Sequence, residues 1–132
     1  MSKFKAFFKE SVKAVPEIEV QLARFPETIR IKPLSAEQQE KVLDGAKKKT
    51  VGLKGRIDEK LSEGKYMILQ AAESIVYPDL DDTELQQNYD VMGREALVRK
   101  MFTADELSEI AVKLAELDET ETFGDLVETA KN

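Results

Sequence analysis

The first clear pattern along the chain is an alternation of apolar and polar residues between positions 17 and 32. Two runs show it, one containing Ile18, Val20 and Leu22 and the other containing Ile29 and Ile31. A period of two indicates strands with one buried face. The intervening Arg24-Phe25-Pro26-Glu27 is typical of a turn. We therefore predict a β-hairpin over residues 17–32, which must pack against a helix because a lone hairpin is marginal in water.

After this hairpin the spacing of apolar residues becomes helical, from residue 35 to residue 130. Ser35 and Gln38 have the spacing of a capping box, which opens a helix ending near Lys48. Its inward face is predicted to carry Val42, Leu43 and Ala46.

The next segment predicts a loop followed by the central helix. Thr50 to Ile57 contains Gly52 and Gly55 and is typical of a loop. From about Asp58 to Val76, apolar residues at helical spacing predict a long helix with a broad buried face.

Three short helix starts then follow at similar intervals. Each combines a capping residue with a pair of apolar residues that close over it as a hydrophobic staple. The predicted caps are Asp81 with Glu84, Gly93, and Thr103 with Glu106, and the staples are Leu80/Leu85, Met92/Leu97 and Phe102/Leu107. The third helix places Leu107, Ile110, Ala111 and Leu114 on one face, and Phe123 to Ala130 forms a final short helix.

At the N-terminus, residues 1–15 form a basic amphipathic segment. Phe4, Phe7 and Phe8 recur at helical spacing among lysines. We expect a short helix packed on the domain or a frayed, mobile terminus; the alternative is a docking element for a partner or a membrane surface. Altogether the patterns predict one domain over 1–132 of the α+β class, mainly α, with an N-terminal β-hairpin packed on about five short-to-medium helices.

The composition then narrows the possible functions. The chain has neither Cys nor His, so Ser/His/Asp and Cys/His catalysis and the commonest transition-metal sites are excluded. We therefore predict a protein that is not an enzyme and needs no cofactor. The net charge of −6 disfavours nonspecific nucleic-acid binding. Without an apolar run of about 20 residues or a secretory signal, a soluble cytoplasmic protein is expected.

Two charged clusters suggest chemistry only weakly. Asp79, Asp81, Asp82 and Glu84 resemble the start of a calcium loop, but Glu84 stands where that loop requires glycine, and helix capping explains the carboxylates without a metal. The basic stretch Lys47 to Arg56 is interpreted as a solvated loop, with contact to RNA or to an acidic partner as the alternative; it has no P-loop pattern.

Aromatic and methionine side chains are the better candidates for a binding surface. Most of the apolar series from Tyr77 to Met101 must form the core. Tyr77, Tyr89 and Met92 are the candidates for exposure, since such residues adapt to varied apolar partners. With the N-terminal phenylalanines, the predicted partner-binding residues are Tyr77, Tyr89, Met92, Phe4, Phe7 and Phe8.

The same segment carries a family resemblance. Val76-Tyr77-Pro78-Asp79-Leu80, Glu84-Leu85-Gln86, Tyr89, Val91-Met92-Gly93 and Leu97 to Met101 stand in an order and spacing that resemble the XkdN-like tail assembly chaperones of Gram-positive phages and prophages. The strand pair ending in Ile31-Lys32-Pro33-Leu34-Ser35 and the Lys-rich helix end match as well, so the resemblance covers nearly the whole chain.

The resemblance implies a role in the cytoplasm of the bacterial host. Such chaperones bind the tape measure protein, keep it soluble and help tail tube subunits assemble around it, and they are absent from the finished virion. Self-association is compatible with this role. The alternatives are a structural tail-completion or connector protein of the virion and a small regulatory nucleic-acid-binding protein.

Overall fold

The computed structural model describes residues 3–116 and has the predicted α+β, mainly α, architecture. A three-stranded antiparallel sheet has the order β1-β2-β5, and a separate two-stranded sheet pairs β3 with β4. The strands are β1 Ile18–Val20, β2 Ile29–Ile31, β3 Lys47–Val51, β4 Ile57–Leu61 and β5 Ile75–Tyr77. The helices are α1 Ala36–Ala46, α2 Glu63–Ser74, α3 Thr83–Asn88, α4 Arg94–Met101 and α5 over residues 104–116.

The predicted hairpin at 17–32 is confirmed, with Ile18 opposite Ile31 and Val20 opposite Ile29. The inward residues Val20, Ile29 and Ile31 are buried, as the alternation requires. They join one hydrophobic core with side chains of α2, α4 and α5, including Ala71, Leu97, Val98, Leu107, Ile110 and Leu114. Burying each large aliphatic side chain contributes about 2 kcal/mol, and this contribution holds the hairpin on the helices.

The third strand of this sheet, β5, corrects the sequence prediction, which placed residues 75 and 76 in a helix. Ile75 and Tyr77 pair with β2, and the Lys32 N–H donates to the Ser74 carbonyl at 3.0 Å. Two local features favour a strand here: β-branched residues, and a proline after Tyr77 that disfavours helical backbone. The decisive term is nonlocal, because β5 satisfies the free edge of β2.

Helix α1 begins as predicted. The Gln38 N–H donates to Ser35 Oγ at 3.1 Å, and the Ser35 N–H donates to Gln38 Oε1 at 2.9 Å. Val42 and Ala46, four residues apart, are buried. Leu43 was expected inside but is exposed, because one step along a helix turns the side chain by about 100° away from that buried face.

The predicted loop at 50–57 and the helix from Asp58 to Val76 are wrong in their boundaries. Residues 47–61 form the β3–β4 hairpin, and α2 starts only at Glu63. Ile57 and Leu61 are four residues apart, which suits a helix equally well. However, Ser62 is the N-cap, accepting from the Lys65 N–H, so residues 57–61 lie outside the helix and their backbone groups pair with β3.

The N-terminal segment also differs from the packed amphipathic helix that was predicted as one alternative. It forms two short 3₁₀ turns, Lys5–Phe7 and Lys9–Ser11, and neither buries a residue. Phe8 separates them with extended backbone at φ −65° and ψ 151°, so the apolar residues do not form one continuous helical face.

Of the three predicted helix caps, the second and third are confirmed. Gly93 is the cap of α4 with φ +96°, a conformation that favours glycine. Thr103 and Glu106 form the expected box: the Thr103 N–H donates to Glu106 Oε1 at 2.8 Å, and the Glu106 N–H donates to Thr103 Oγ1 at 3.2 Å.

The first start is shifted by one residue. Asp82, not Asp81, caps α3 by accepting the Leu85 N–H at 2.9 Å, because Asp79 engages the Asp81 N–H at 3.0 Å and draws that residue into the preceding turn. Along α5, Leu107, Ile110 and Leu114 are buried as expected. The predicted helix Phe123–Ala130 lies outside the described residues.

An ion pair fastens the turn of the first hairpin to the start of α5. Arg24 donates to the Glu106 carboxylate from Nε at 2.9 Å and from Nη2 at 2.6 Å, and also to the Met101 carbonyl at 2.9 Å. The hydrogen bond from Arg24, assisted by Thr103, lowers the pKa of Glu106 although burial opposes the shift.

This pair predicts a pH dependence of stability. A carboxyl group whose pKa is lower in the folded state stabilises the fold above its unfolded pKa, near 4.5, and that contribution disappears as the pH falls through the folded pKa. We expect Glu106→Gln to lower the free energy of unfolding at neutral pH by about 1 kcal/mol, as for a partly exposed ion pair. Urea denaturation should show the difference vanishing in acid, whereas Glu109→Gln, exposed on the same helix, should match the wild type. A gap that persists in acid would contradict this account.

Candidate functional site

Tyr77 lies at the end of β5, where its hydroxyl contacts the β1–β2 connection and its ring contacts β2. The phenol donates to Glu27 Oε2 at 3.0 Å, and the Arg30 guanidinium carbon lies 5.1 Å from the ring centroid. The hydrogen bond to Glu27 raises the pKa of Tyr77, and the carboxylate charge acts in the same direction. The side chain remains partly accessible, so it supports the sheet while presenting one edge to solvent.

Tyr89 ends α3 and is half-buried against the core. Its N–H donates to the Gln86 carbonyl at 3.2 Å. A charge placed here would disturb core packing as well as any partner contact. Tyr89 is therefore poorly suited to a substitution that must leave the fold intact.

Met92 is the candidate that the structure leaves most open, with 91% of its surface exposed just before the α4 cap. It was expected to close with Leu97 as a hydrophobic staple. Leu97 is fully buried, but Met92 is not, so this staple is absent. An exposed methionine is a flexible apolar side chain that can adapt to a partner. Because Met92 does not pack in the core, it is available for such a contact.

Gln86 holds the segment around Met92 together, a role that the sequence patterns missed. Its Nε2 donates to the Leu80 carbonyl at 2.8 Å, and its Oε1 accepts the Gly93 N–H at 3.0 Å. Its own carbonyl accepts the Val91 N–H at 3.1 Å. The Gln of the Glu-Leu-Gln piece therefore fixes the α3–α4 connection, and only the hydrogen bonds of the folded chain reveal this.

The N-terminal candidates Phe4, Phe7 and Phe8 are all exposed, and Phe7 is 77% exposed. Phe7 ends the first 3₁₀ turn, Phe4 precedes that turn and Phe8 connects it to the second, with Lys3, Lys5 and Lys9 between them. The segment therefore offers apolar rings within a positive field.

A second basic region emerges at residues 47–61, which we call the cationic hairpin. It comprises β3, the turn at residues 52–56 and β4, and nearly every residue in it is exposed. Its large apolar residues Val51, Leu53, Ile57 and Leu61 are all exposed, Leu53 to 93%. The patterns identified the lysines but not these side chains. The signal that was overlooked is a short connection with two glycines between the two segments that form β3 and β4.

An open groove of about 640 Å³ lies between α1 and this hairpin. Leu43 and Leu61 line it from opposite sides, and its charged lining residues are Glu40, Asp44, Lys47, Glu59 and Lys60. Leu43, which was predicted to be buried, therefore faces β4, which was predicted as loop and helix, across this groove.

Within residues 3–116, no helix combines the length and apolar character needed to cross a bilayer.

Comparison with known proteins supports the resemblance. The model of the phage XkdN-like tail assembly chaperone family matches residues 4–131. The crystal structure of the protein YqbN is similar at 16% identity, covering 89% of this chain and 96% of that chain with a TM-score of 0.64, which supports the fold alone. No curated protein matches. Since the family match spans nearly the whole sequence, this chain belongs to the XkdN-like phage tail assembly chaperones.

Proposed function

We propose that this chain binds the tape measure protein of its phage and keeps it soluble until tail tube protein covers it. Membership of the tail assembly chaperone family over residues 4–131 carries this proposal. A long chain with exposed helical apolar stripes aggregates unless a binder shields it. The exposed Met92 and N-terminal phenylalanines give this small acidic protein apolar groups for such contacts.

The main proposed partner-binding residues are Met92, Phe4, Phe7 and Phe8. Tyr77 and Tyr89 are proposed as secondary contacts, because both also support the fold. The proposed place of action is the host cytoplasm, with release before the virion is complete. Mass spectrometry of purified phage particles tests the release. Stoichiometric presence of the chain in mature tails would instead identify a structural tail-completion or connector protein.

Co-expression with the tape measure gene of the same phage tests the chaperone role. We expect the soluble fraction of the tape measure protein to rise severalfold when this chain is present. We further expect Met92→Asp to weaken co-purification, because a charge at a desolvated apolar contact is costly. Val112→Asp, on the exposed side of α5, is the matched control and should co-purify as the wild type does. Equal tape measure solubility with and without the chain would refute the role.

A further inference from the structure

A second groove, of about 470 Å³, lies where the last turns of α5 meet α1 and α2. Ala111, Leu114 and Ala115 line it from α5, and Pro33 and Leu34 line it from the connection before α1. Within residues 3–116, every side chain that lines this groove is uncharged. The groove therefore suits an uncharged apolar surface, since burying a charge without a partner is costly.

Polar groups in the wall of this groove are already hydrogen-bonded to one another. Gln39 Nε2 donates to Tyr66 Oη at 2.8 Å, and Ser35 Oγ accepts the Gln38 N–H at 3.1 Å. An apolar occupant would cover these groups without depriving them of their partners, so its burial carries little polar cost.

The chain leaves α5 at this same groove. Helix α5 ends at residue 116, directly after Ala115, and residues 117–132 follow in the sequence. A segment attached at this point has an effective concentration of about a millimolar or more at the groove, as short flexible linkers give. A separate protein would have to compete with that local concentration.

The attached segment carries an apolar stripe that matches the groove in chemistry. At helical spacing, residues 123–130 place four uncharged apolar side chains on one face, which are Phe123, Leu126, Val127 and Ala130. Asp125 and Glu128 then fall on the opposite face, toward water. The intervening residues 117–122 have a length typical of connections between antiparallel neighbouring helices.

We propose that residues 123–130 form a helix that folds back antiparallel to α5 and covers this groove. Ala111 and Ala115 lie one helical turn apart, and their small side chains let a second helix approach α5 closely. The other exposed apolar segment, residues 3–15, forms two separate 3₁₀ turns and offers no single helical face. Covalent attachment, spacing and the lack of charge thus select the same occupant.

The first test uses Phe123→Trp in the full chain, which contains no other tryptophan. If the helix covers the groove, tryptophan emission should be blue-shifted, and acrylamide should quench it severalfold less than in Phe7→Trp. Phe7 is the reference because it is 77% exposed. Equal emission and quenching in the two variants would overturn the proposal and leave the groove to a partner protein.

The second test locates the covered surface by adding Ala36→Glu to Phe123→Trp. Ala36 lines the groove and is the exposed first residue of α1, where a carboxylate suits the helix dipole and α1 should persist. The new charge lies in the path of the helix, and residues 117–132 already contain five acidic side chains and one basic. Emission should therefore shift to that of Phe7→Trp, with unchanged circular dichroism from the rest of the fold.

The matched control is Ala104→Glu, the same change at the exposed first residue of α5, which also follows a capping box. Ala104 lies about 16 Å from Ala115 along α5, whereas a helix over residues 123–130 is about 12 Å long. Ala104→Glu should thus leave the tryptophan emission blue-shifted.

Three results of these measurements would overturn the assignment. Exposure of the tryptophan by Ala104→Glu and not by Ala36→Glu would place the helix in the groove at the start of α5, which Ala104 lines. The same response to both changes would remove any specific site. A blue shift lost on dilution would mean that a second copy fills the groove. The tape measure protein takes no part in these tests, so their outcome is independent of the chaperone role.

Discussion

Replacing residues 48–60, most of the cationic hairpin, by a short Gly-Ser linker is expected to leave the rest of the protein folded. Neither β3 nor β4 buries a residue. The Ser62 N–H donates to the Ala46 carbonyl at 2.8 Å, so the hairpin begins and ends at adjacent points. Lys47 and Leu61 are paired residues, about 5 Å apart, a gap that a linker of about four residues spans.

The free energy of unfolding of this excision variant should lie within about 1 kcal/mol of the wild-type value. The lost strand pairing is solvent-exposed, and shortening the connection lowers its closure entropy by an amount of that order. Urea denaturation of both proteins measures this difference. A variant that unfolds without cooperativity would contradict the view that the hairpin is a peripheral element.

The second large effect is expected at the centre of the core. Leu97 on α4 has no exposed surface and packs within the cluster that joins the first sheet to α2 and α5. Leu97→Ala removes apolar contacts and leaves a cavity that rigid neighbours fill only partly, so the free energy of unfolding should fall by about 3 kcal/mol. Because small domains have about 5–15 kcal/mol in total, this is a severe loss.

Leu53→Ala is the matched control for Leu97→Ala, since it makes the same chemical change at a residue that is 93% exposed. Its effect should stay within about 0.5 kcal/mol. Both variants are measured by the urea midpoint at constant m-value. A Leu97→Ala loss below about 1 kcal/mol would mean that the α4 contact with the sheet is much looser than the core described above.

Several elements could be predicted because their determinants are local. The capping box at Ser35, the Gly93 cap and the Thr103/Glu106 box each depend on residues within four positions of one another. The hairpin at 17–32 follows from its own alternation. The Asp82 cap was missed by one residue, because three aspartates compete and the choice depends on which N–H Asp79 engages.

The candidate site was harder to predict than the fold. Aromatic and methionine residues were selected by type, but exposure depends on packing: Met92 is open whereas Tyr89 rests on the core. Val51 and Ile57 passed unnoticed because an apolar residue beside lysines suggests only a solvated loop. Their shared face exists only once β3 pairs with β4.

The sequence by itself determined the class of fold, the family, the absence of histidine and cysteine chemistry, and most helix starts, since these depend on composition, motif order and short-range hydrogen bonds. The tertiary structure alone decided that residues 75–77 form a strand, that Leu43 meets Leu61 across a groove, and that Met92 is left uncovered. Each of these outcomes is set by contacts between residues far apart in the chain. No local pattern encodes them, because the free energy that decides them comes from the partner surface and not from the segment.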